Sequence, residues 1–302
     1  MGLTSVSRRR GSFLRTLPAY LYILPALLVY AIFVLYPILR TFWLSFNEWT
    51  GFTNPVFTGL DNYQQLLHDD VFLTALANNV KFIVFYTVFP IVIGLLLTAV
   101  MTRRQLFGLS VFRAGFFIPY VMPMVVVGVV WRWIYNPVFG PLNEGLRMLG
   151  LDTLAKPWLG DFQLALPAVG LIGTWAMYGF CMALFMAGVQ NIDEYIYDAA
   201  KVDGASEWRQ LLHITIPGIR GEIAVAAVTT FIAALRVFDL IFVTTRGGPA
   251  QQTMVTSLWL YRNAFQINRA GYAASIAVVQ TLLILTISYL LLTRIRTPEG
   301  EA

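Results

Sequence analysis

The sequence predicts an all-α integral membrane protein with six transmembrane helices. Three observations carry that expectation. Only 12% of the 302 residues are charged while 58% are hydrophobic, against roughly a quarter charged in an ordinary soluble domain. Six stretches stay apolar over about twenty residues, the length that crosses a bilayer core. The cations gather at the ends of those stretches, which marks topology and not a nucleic-acid-binding patch, even at a net charge of +5.

The first apolar stretch runs from Leu17 to Leu39 and follows Arg8, Arg9, Arg10 and Arg15. It is longer than the core of a signal peptide and continues into Tyr36-Pro37 with no small-residue cleavage site, so a retained helix is expected. The second stretch covers Val80–Val100, the third Ala114–Ile134, the fourth Leu164–Val189, the fifth Ile223–Val243 and the sixth Ala270–Leu292. Arg236 and Asp239 interrupt the fifth. One membrane domain over 17–293 is therefore expected, between a cytoplasmic segment 1–16 and a cytoplasmic tail 294–302. The positive-inside rule puts both termini in the cytoplasm, because the Arg8–Arg15 run and the Thr102-Arg103-Arg104 turn then lie inside.

Two substantial loops fall outside in this arrangement. In the first, from Asn47 to Asn79, the run Asp61–Leu76 reads as a short amphipathic helix lying at the surface. The second, from Asn136 to Phe162, carries turn punctuation at Pro137, Gly140, Pro141 and Pro157.

The segment between the fourth and fifth helices, residues 191–217, differs in composition from every other loop. Asn191 or Asp193 is placed to cap a helix, and Gly204 to end it with a positive φ. Ser206 is placed to cap a second helix running to about His213, and Pro217 to open the fifth span. The result is a helix–turn–helix with a knuckle of small residues at Ala199, Ala200, Gly204 and Ala205. Composition alone leaves a docking peg and a connector resting on lipid headgroups equally open.

Here the sequence resembles a known family. Asp198-Ala199-Ala200, three residues, Gly204, nine residues, then Ile214-x-Ile216-Pro217 match the spacing of the Glu-Ala-Ala loop in permease subunits of binding-protein-dependent ABC importers. Asp198 stands for that pattern's Glu and Ile216 for its Leu. A second stretch, with Gly247, Gly248, Pro249, Thr253, Tyr261, Arg262, Ala264 and Phe265, is similar to carbohydrate importer permeases. Gly59–Leu67 and Val130–Asn143 are similar to the maltose and glycerol-phosphate type.

The resemblance implies a type I importer permease fold in a bacterial or archaeal inner membrane, forming half of a sugar pore. It implies as partners an ABC ATPase dimer holding ATP and Mg, a second permease in a heterodimer, and an extracytoplasmic sugar-binding protein. It assigns coupling to the ATPase to Asp198, Ala199, Ala200, Asp203, Gly204, Ala205, Ile214 and Pro217.

No G-x-x-x-x-G-K-[ST] phosphate loop occurs in the sequence, so ATP hydrolysis by that route needs a partner. Cys181, His68 and His213 are too few for a metal cage, and no catalytic set is evident. No cofactor is expected in this chain, which reads as a transport subunit and not an enzyme. Arg236 and Asp239, three apart, would share one face of a helix and could pair. They read either as path-lining groups that hold sugar hydroxyls or as a neutralised structural pair. Trp175 and Tyr178 on the fourth helix are further candidates for the path, although aromatics at helical spacing more often pack. The rival reading is an ion-coupled secondary transporter. It is disfavoured by the lack of internal repeats and by the single intramembrane charge pair.

Overall fold

The computed structural model describes residues 13–103 and 108–295. Arg8, Arg9, Arg10, Arg104 and Arg296, on which much of the orientation reading rests, lie outside the described residues. Among the described residues the architecture is helical apart from one hairpin of two-residue strands, β1 (Asn47–Glu48) antiparallel to β2 (Val56–Phe57). The first span is α1 (Tyr22–Leu44). After the hairpin come α2 (Asp61–Leu67) and the second span, α3 (Asp70–Thr102).

The surface helix expected over Asp61–Leu76 is thus divided. Asp69 stops α2 and caps α3, its Oδ1 accepting from the N–H groups of Val71 and Phe72 at 2.9 and 3.2 Å. The second half of the predicted helix becomes the outer end of the span. Phe72, Ala75, Asn78 and Asn79 are buried there, so α3 runs 33 residues, about 50 Å at 1.5 Å per residue.

The third expected span is two helices, α4 (Leu109–Val121) and α5 (Met124–Ile134), bent by 99° at Met122-Pro123. Met122 is extended (φ −70°, ψ 136°), as the residue before a proline prefers to be, and Pro123 caps α5. A short helix α6 (Pro141–Met148) follows, then the fourth span α7 (Ala165–Val189). On the side where α7 ends lie α8 (Glu194–Val202) and α9 (Glu207–Gln210). The fifth span divides into α10 (Arg220–Leu235) and α11 (Asp239–Thr244). The chain closes with α12 (Thr256–Phe265) and the sixth span α13 (Ala270–Ile295).

Prolines explain the helix irregularities. Each of three π-turns, Ala31–Leu35, Val84–Val88 and Leu211–Thr215, ends two residues before a proline: Pro37, Pro90 and Pro217. Proline lacks the N–H of the regular ladder and its ring crowds the preceding turn, so a widened turn relieves both. Pro217 therefore does not open the fifth span. It lies in a continuing turn, Ile216–Gly218, and the span starts at Arg220 after the chain leaves helical geometry at Ile219 (φ −107°, ψ 24°).

The core surrounds α7. Val169 and Ile172 of α7, Val127 of α5, and Leu240 and Ile241 of α11 are fully buried in one cluster. The helices approach closely where a side chain is missing: a Cβ at Gly173 would enter the ring of Tyr86. By contrast, Tyr22 through Leu35 of α1 include no buried residue. That helix meets the rest through its Tyr36–Leu44 end, which packs on α13. Its apolar surface is suited to lipid and to other membrane helices.

Candidate translocation and coupling sites

Two sites emerge, one inside the bundle and one on the α8 face. The inner site is a cavity of about 370 Å³ at the junction of α10 and α11, lined by Tyr86, Met124, Met177, Thr229, Arg236 and Asp239 among others. Arg236 ends α10 with non-helical torsions (φ −96°, ψ 5°), and Phe238 turns the chain further (φ −138°, ψ −62°) before Asp239 starts α11. Arg236 and Asp239 are both exposed on the cavity side.

The ion pair that their spacing allowed is not formed. Ion pairs do form elsewhere, between Arg147 and Glu144 and between Lys201 and Asp198, each at 2.8 Å. The spacing argument assumed an unbroken helix, and the break sets the two charges on different segments. Trp175 and Tyr178 do not line this cavity. Trp175 packs edge-on against Trp131 at 5.6 Å and Tyr178 against Phe116 at 6.1 Å.

Sequence reasoning missed Tyr86, Met124 and Met177, which only the fold brings to the cavity. It also missed the polar groups that hold the break. Buried Asn79 donates to the carbonyls of Ala234 and Leu235 at 3.1 and 3.2 Å. Gln280 donates to the Leu235 carbonyl at 2.7 Å. The signal available was the Asn78-Asn79 pair at the edge of the second apolar run and Gln280 inside the sixth.

The loop after α11 is also fixed. Thr253 Oγ1 donates to the Gly248 carbonyl at 2.7 Å and lies 2.6 Å from Thr245 Oγ1. Asn78 donates to the carbonyls of Gln252 and Met254, both at 3.0 Å. Arg262 donates to the Arg246 carbonyl at 2.7 Å. These bonds hold Arg246, Ala250 and Gln251 at φ of 51°, 39° and 69°, a region that costs non-glycine residues energy and persists only where the surroundings impose it. Tyr261 packs tilted or edge-on among Phe238, Phe242 and Phe265, which ties α12 to the α10–α11 junction.

On the opposite face, α8 is built as its caps dictate. Asp193 accepts from the Tyr195 N–H at 3.0 Å, so it and not Asn191 is the cap. Gly204 takes φ 72°, and the Ala205 N–H closes on the Ala200 carbonyl at 2.9 Å. Ser206 Oγ accepts from the Arg209 N–H at 3.4 Å. No residue of α8 is buried, and Tyr195, Val202 and, beyond the turn, Trp208 stand out at 81%, 88% and 60% exposure. Asp198, Ala199, Ala200, Asp203, Gly204 and Ala205 lie together on this knuckle. Ile214 falls within the π-turn behind it, which Tyr197 joins through its hydroxyl, 2.9 Å from Thr215 Oγ1. The exposed Lys201–Asp198 pair contributes at most about 1 kcal/mol.

A bundle of apolar spans with a charged cavity at a broken helix has the architecture of a membrane permease subunit. The chain belongs to the family of binding-protein-dependent transport system inner membrane components, which matches residues 80–298. It is thus a permease subunit of the ABC importer type and not an ion-coupled carrier.

It is 37% identical over 284 residues to YurN of Bacillus subtilis, a "probable ABC transporter permease protein", covering 93% of this chain and 97% of that one. It is 33% identical to the trehalose/maltose transport system permease protein MalF of Thermococcus litoralis, covering 92% and 94%. It is also 33% identical to the diacetylchitobiose uptake system permease protein NgcF of Streptomyces coelicolor, covering 90% and 80%. A chain of a bacterial ABC transporter that imports alginate shares the fold, with a TM-score of 0.82, 23% identity and coverage of 96% and 98%.

Proposed function

We infer that this chain forms half of the translocation pore of an ATP-driven sugar importer and passes motion from a separate ATPase through α8. The observation that carries the reading is α8 itself, a capped helix without one buried residue in a chain lacking a phosphate loop. An apolar tip kept exposed at Tyr195, Val202 and Trp208 is suited to a partner's cleft. Asp198, Ala199, Ala200, Asp203, Gly204 and Ala205 form the contact, while Ile214 and Pro217 join it to α10.

The ATPase dimer holds ATP and Mg. A second permease supplies the other half of the pore, and a sugar-binding protein docks on the far face. Both termini then lie in the cytoplasm. A sugar substrate is supported by relatives named for lactose, trehalose/maltose and diacetylchitobiose.

In the cavity, Asp239 accepts from sugar hydroxyls, Arg236 donates to ring and hydroxyl oxygens, and the Tyr86, Met124 and Met177 wall meets the apolar ring face. Trp175 packs against the cluster that holds Tyr86 and Met177, whereas Tyr178 packs on Phe116 away from that wall. ATP-driven closure of the partner moves α8 and opens the cavity outward, and hydrolysis returns it. Each ligand drives the cycle only through its different affinity for the two states.

Deleting residues 198–204 tests the reading by co-purification with the ATPase and by uptake in proteoliposomes. Loss of both is the expected result. Retained uptake without a bound ATPase would refute it.

A further inference from the structure

A spanning helix that breaks inside a bilayer frees carbonyls that water cannot reach, and each must find a donor within the protein. At the α10–α11 break those carbonyls belong to Ala234 and Leu235. Asn79 of α3 donates to both, at 3.1 and 3.2 Å, and Gln280 of α13 donates to Leu235 at 2.7 Å. The other end of the Asn79 amide is equally occupied. Its Oδ1 accepts from the backbone N–H and the hydroxyl of Thr256, at 2.9 and 3.0 Å, at the start of α12. Gln280 reaches the same helix through Ser257 Oγ at 3.0 Å.

Asn79 is fully buried, and this arrangement makes the break a defined state of α3, α10, α12 and α13 together. Were α10 and α11 continuous, Arg236 and Asp239 would share a face and could neutralise each other. Held apart, both face the cavity.

We propose that Asn79 and Gln280 are positioning residues that fix the helix break and thereby keep Arg236 and Asp239 separated and turned toward the cavity. Their importance for transport rests on the sugar-path reading above; their effect on geometry does not.

The test uses the full transporter with its ATPase and sister permease. A cysteine at position 239 (Asp239→Cys) is labelled with a membrane-permeant thiol reagent, against low background because Cys181 is buried. Adding Asn79→Leu or Gln280→Leu is expected to change the labelling rate at least threefold, with Asn79→Leu the larger effect. An unchanged rate in both overturns the proposal. If Asn79→Leu fails to assemble, Gln280→Leu, which leaves the Asn79 bonds in place, carries the test.

A second readout is sugar-stimulated ATP hydrolysis in a double-mutant cycle of Gln280→Leu with Arg236→Ala. Residues acting through one another give effects that do not multiply, whereas independent damage does. Multiplying effects together with unchanged labelling would leave Asn79 and Gln280 as packing residues only. Should Arg236→Ala itself leave stimulation intact, the sugar-path reading fails and the labelling result still decides this proposal.

Discussion

Asp69 ties three helices with one carboxylate. Its Oδ1 caps α3, and its Oδ2 accepts from Trp259 Nε1 of α12 at 2.8 Å and from the Tyr272 hydroxyl of α13 at 2.5 Å. Burial alone would raise its pKa, but the hydrogen bonds from Tyr272, Trp259, Phe72 and Val71 together outweigh burial and hold it below the ordinary carboxylate value. A carboxylate with a depressed folded pKa stabilises fully above its unfolded value, near 3.8, and loses that contribution as pH falls through the lower folded value. Heat unfolding in detergent should therefore occur at a lower temperature as pH drops below about 4. Asp69→Asn should lower that temperature already at pH 7, through a stability loss of about 1.5–3 kcal/mol for weakened bonds to a charge, and should flatten the acid dependence. Equal acid sensitivity in both forms would contradict this. The sequence placed Asp69 inside an expected surface helix and gave it no role, because its partners lie 190 and 203 residues away. The caps Asp193, Ser206 and Gly204 were legible because their partners are two to five residues away.

At the scale of elements, apolar length located five spans and the bent α4–α5 pair among the described residues, but it could not show the bend of that pair or the break in the fifth. Pro123 and the Arg236-Val237-Phe238 turn are local signals. The 99° bend and the cavity they create depend on packing against α7 and on amides from other helices. Tyr86, Met124 and Met177 read as ordinary span residues for the same reason. The α8–α9 corner was more readable, since one residue controls it. Gly204 at φ 72° would force any Cβ into left-handed backbone at about 1–2 kcal/mol, although the space around it is open. Gly204→Val should then reduce the amount of ATPase that co-purifies, with normal membrane insertion. Gly204→Asn, which tolerates that backbone, should restore most of it. Equal loss in both variants would show that the side chain blocks the partner's surface and that the turn is not what matters.

Across the whole molecule, the peg and the cavity lie at opposite ends of α10, about 24 Å apart over its 16 residues. A physical link exists at the base. Ile192, just before α8, packs into the cluster of Cys181 and Phe185 of α7 with Ile219 and Ala226 at the foot of α10. Gly218 leaves room for the Ile192 side chain, since a Cβ there would lie 2.5 Å from Ile192 Cδ1. A displacement of α8 is therefore delivered to α7 and α10 through side-chain packing. At its far end α10 carries the break that presents Arg236. Packed contacts transmit force only while they are filled, because a void removes the atoms on one side of the contact. Ile192→Ala should keep the ATPase bound, since the exposed face of α8 is untouched, yet lower sugar uptake per ATP hydrolysed by severalfold in proteoliposomes. Ile192→Leu, which conserves volume, should retain most of the coupling. An unchanged ratio of uptake to hydrolysis in Ile192→Ala would mean that motion reaches the cavity through the Tyr197–Thr215 contact instead, and Tyr197→Phe would then be the variant that uncouples.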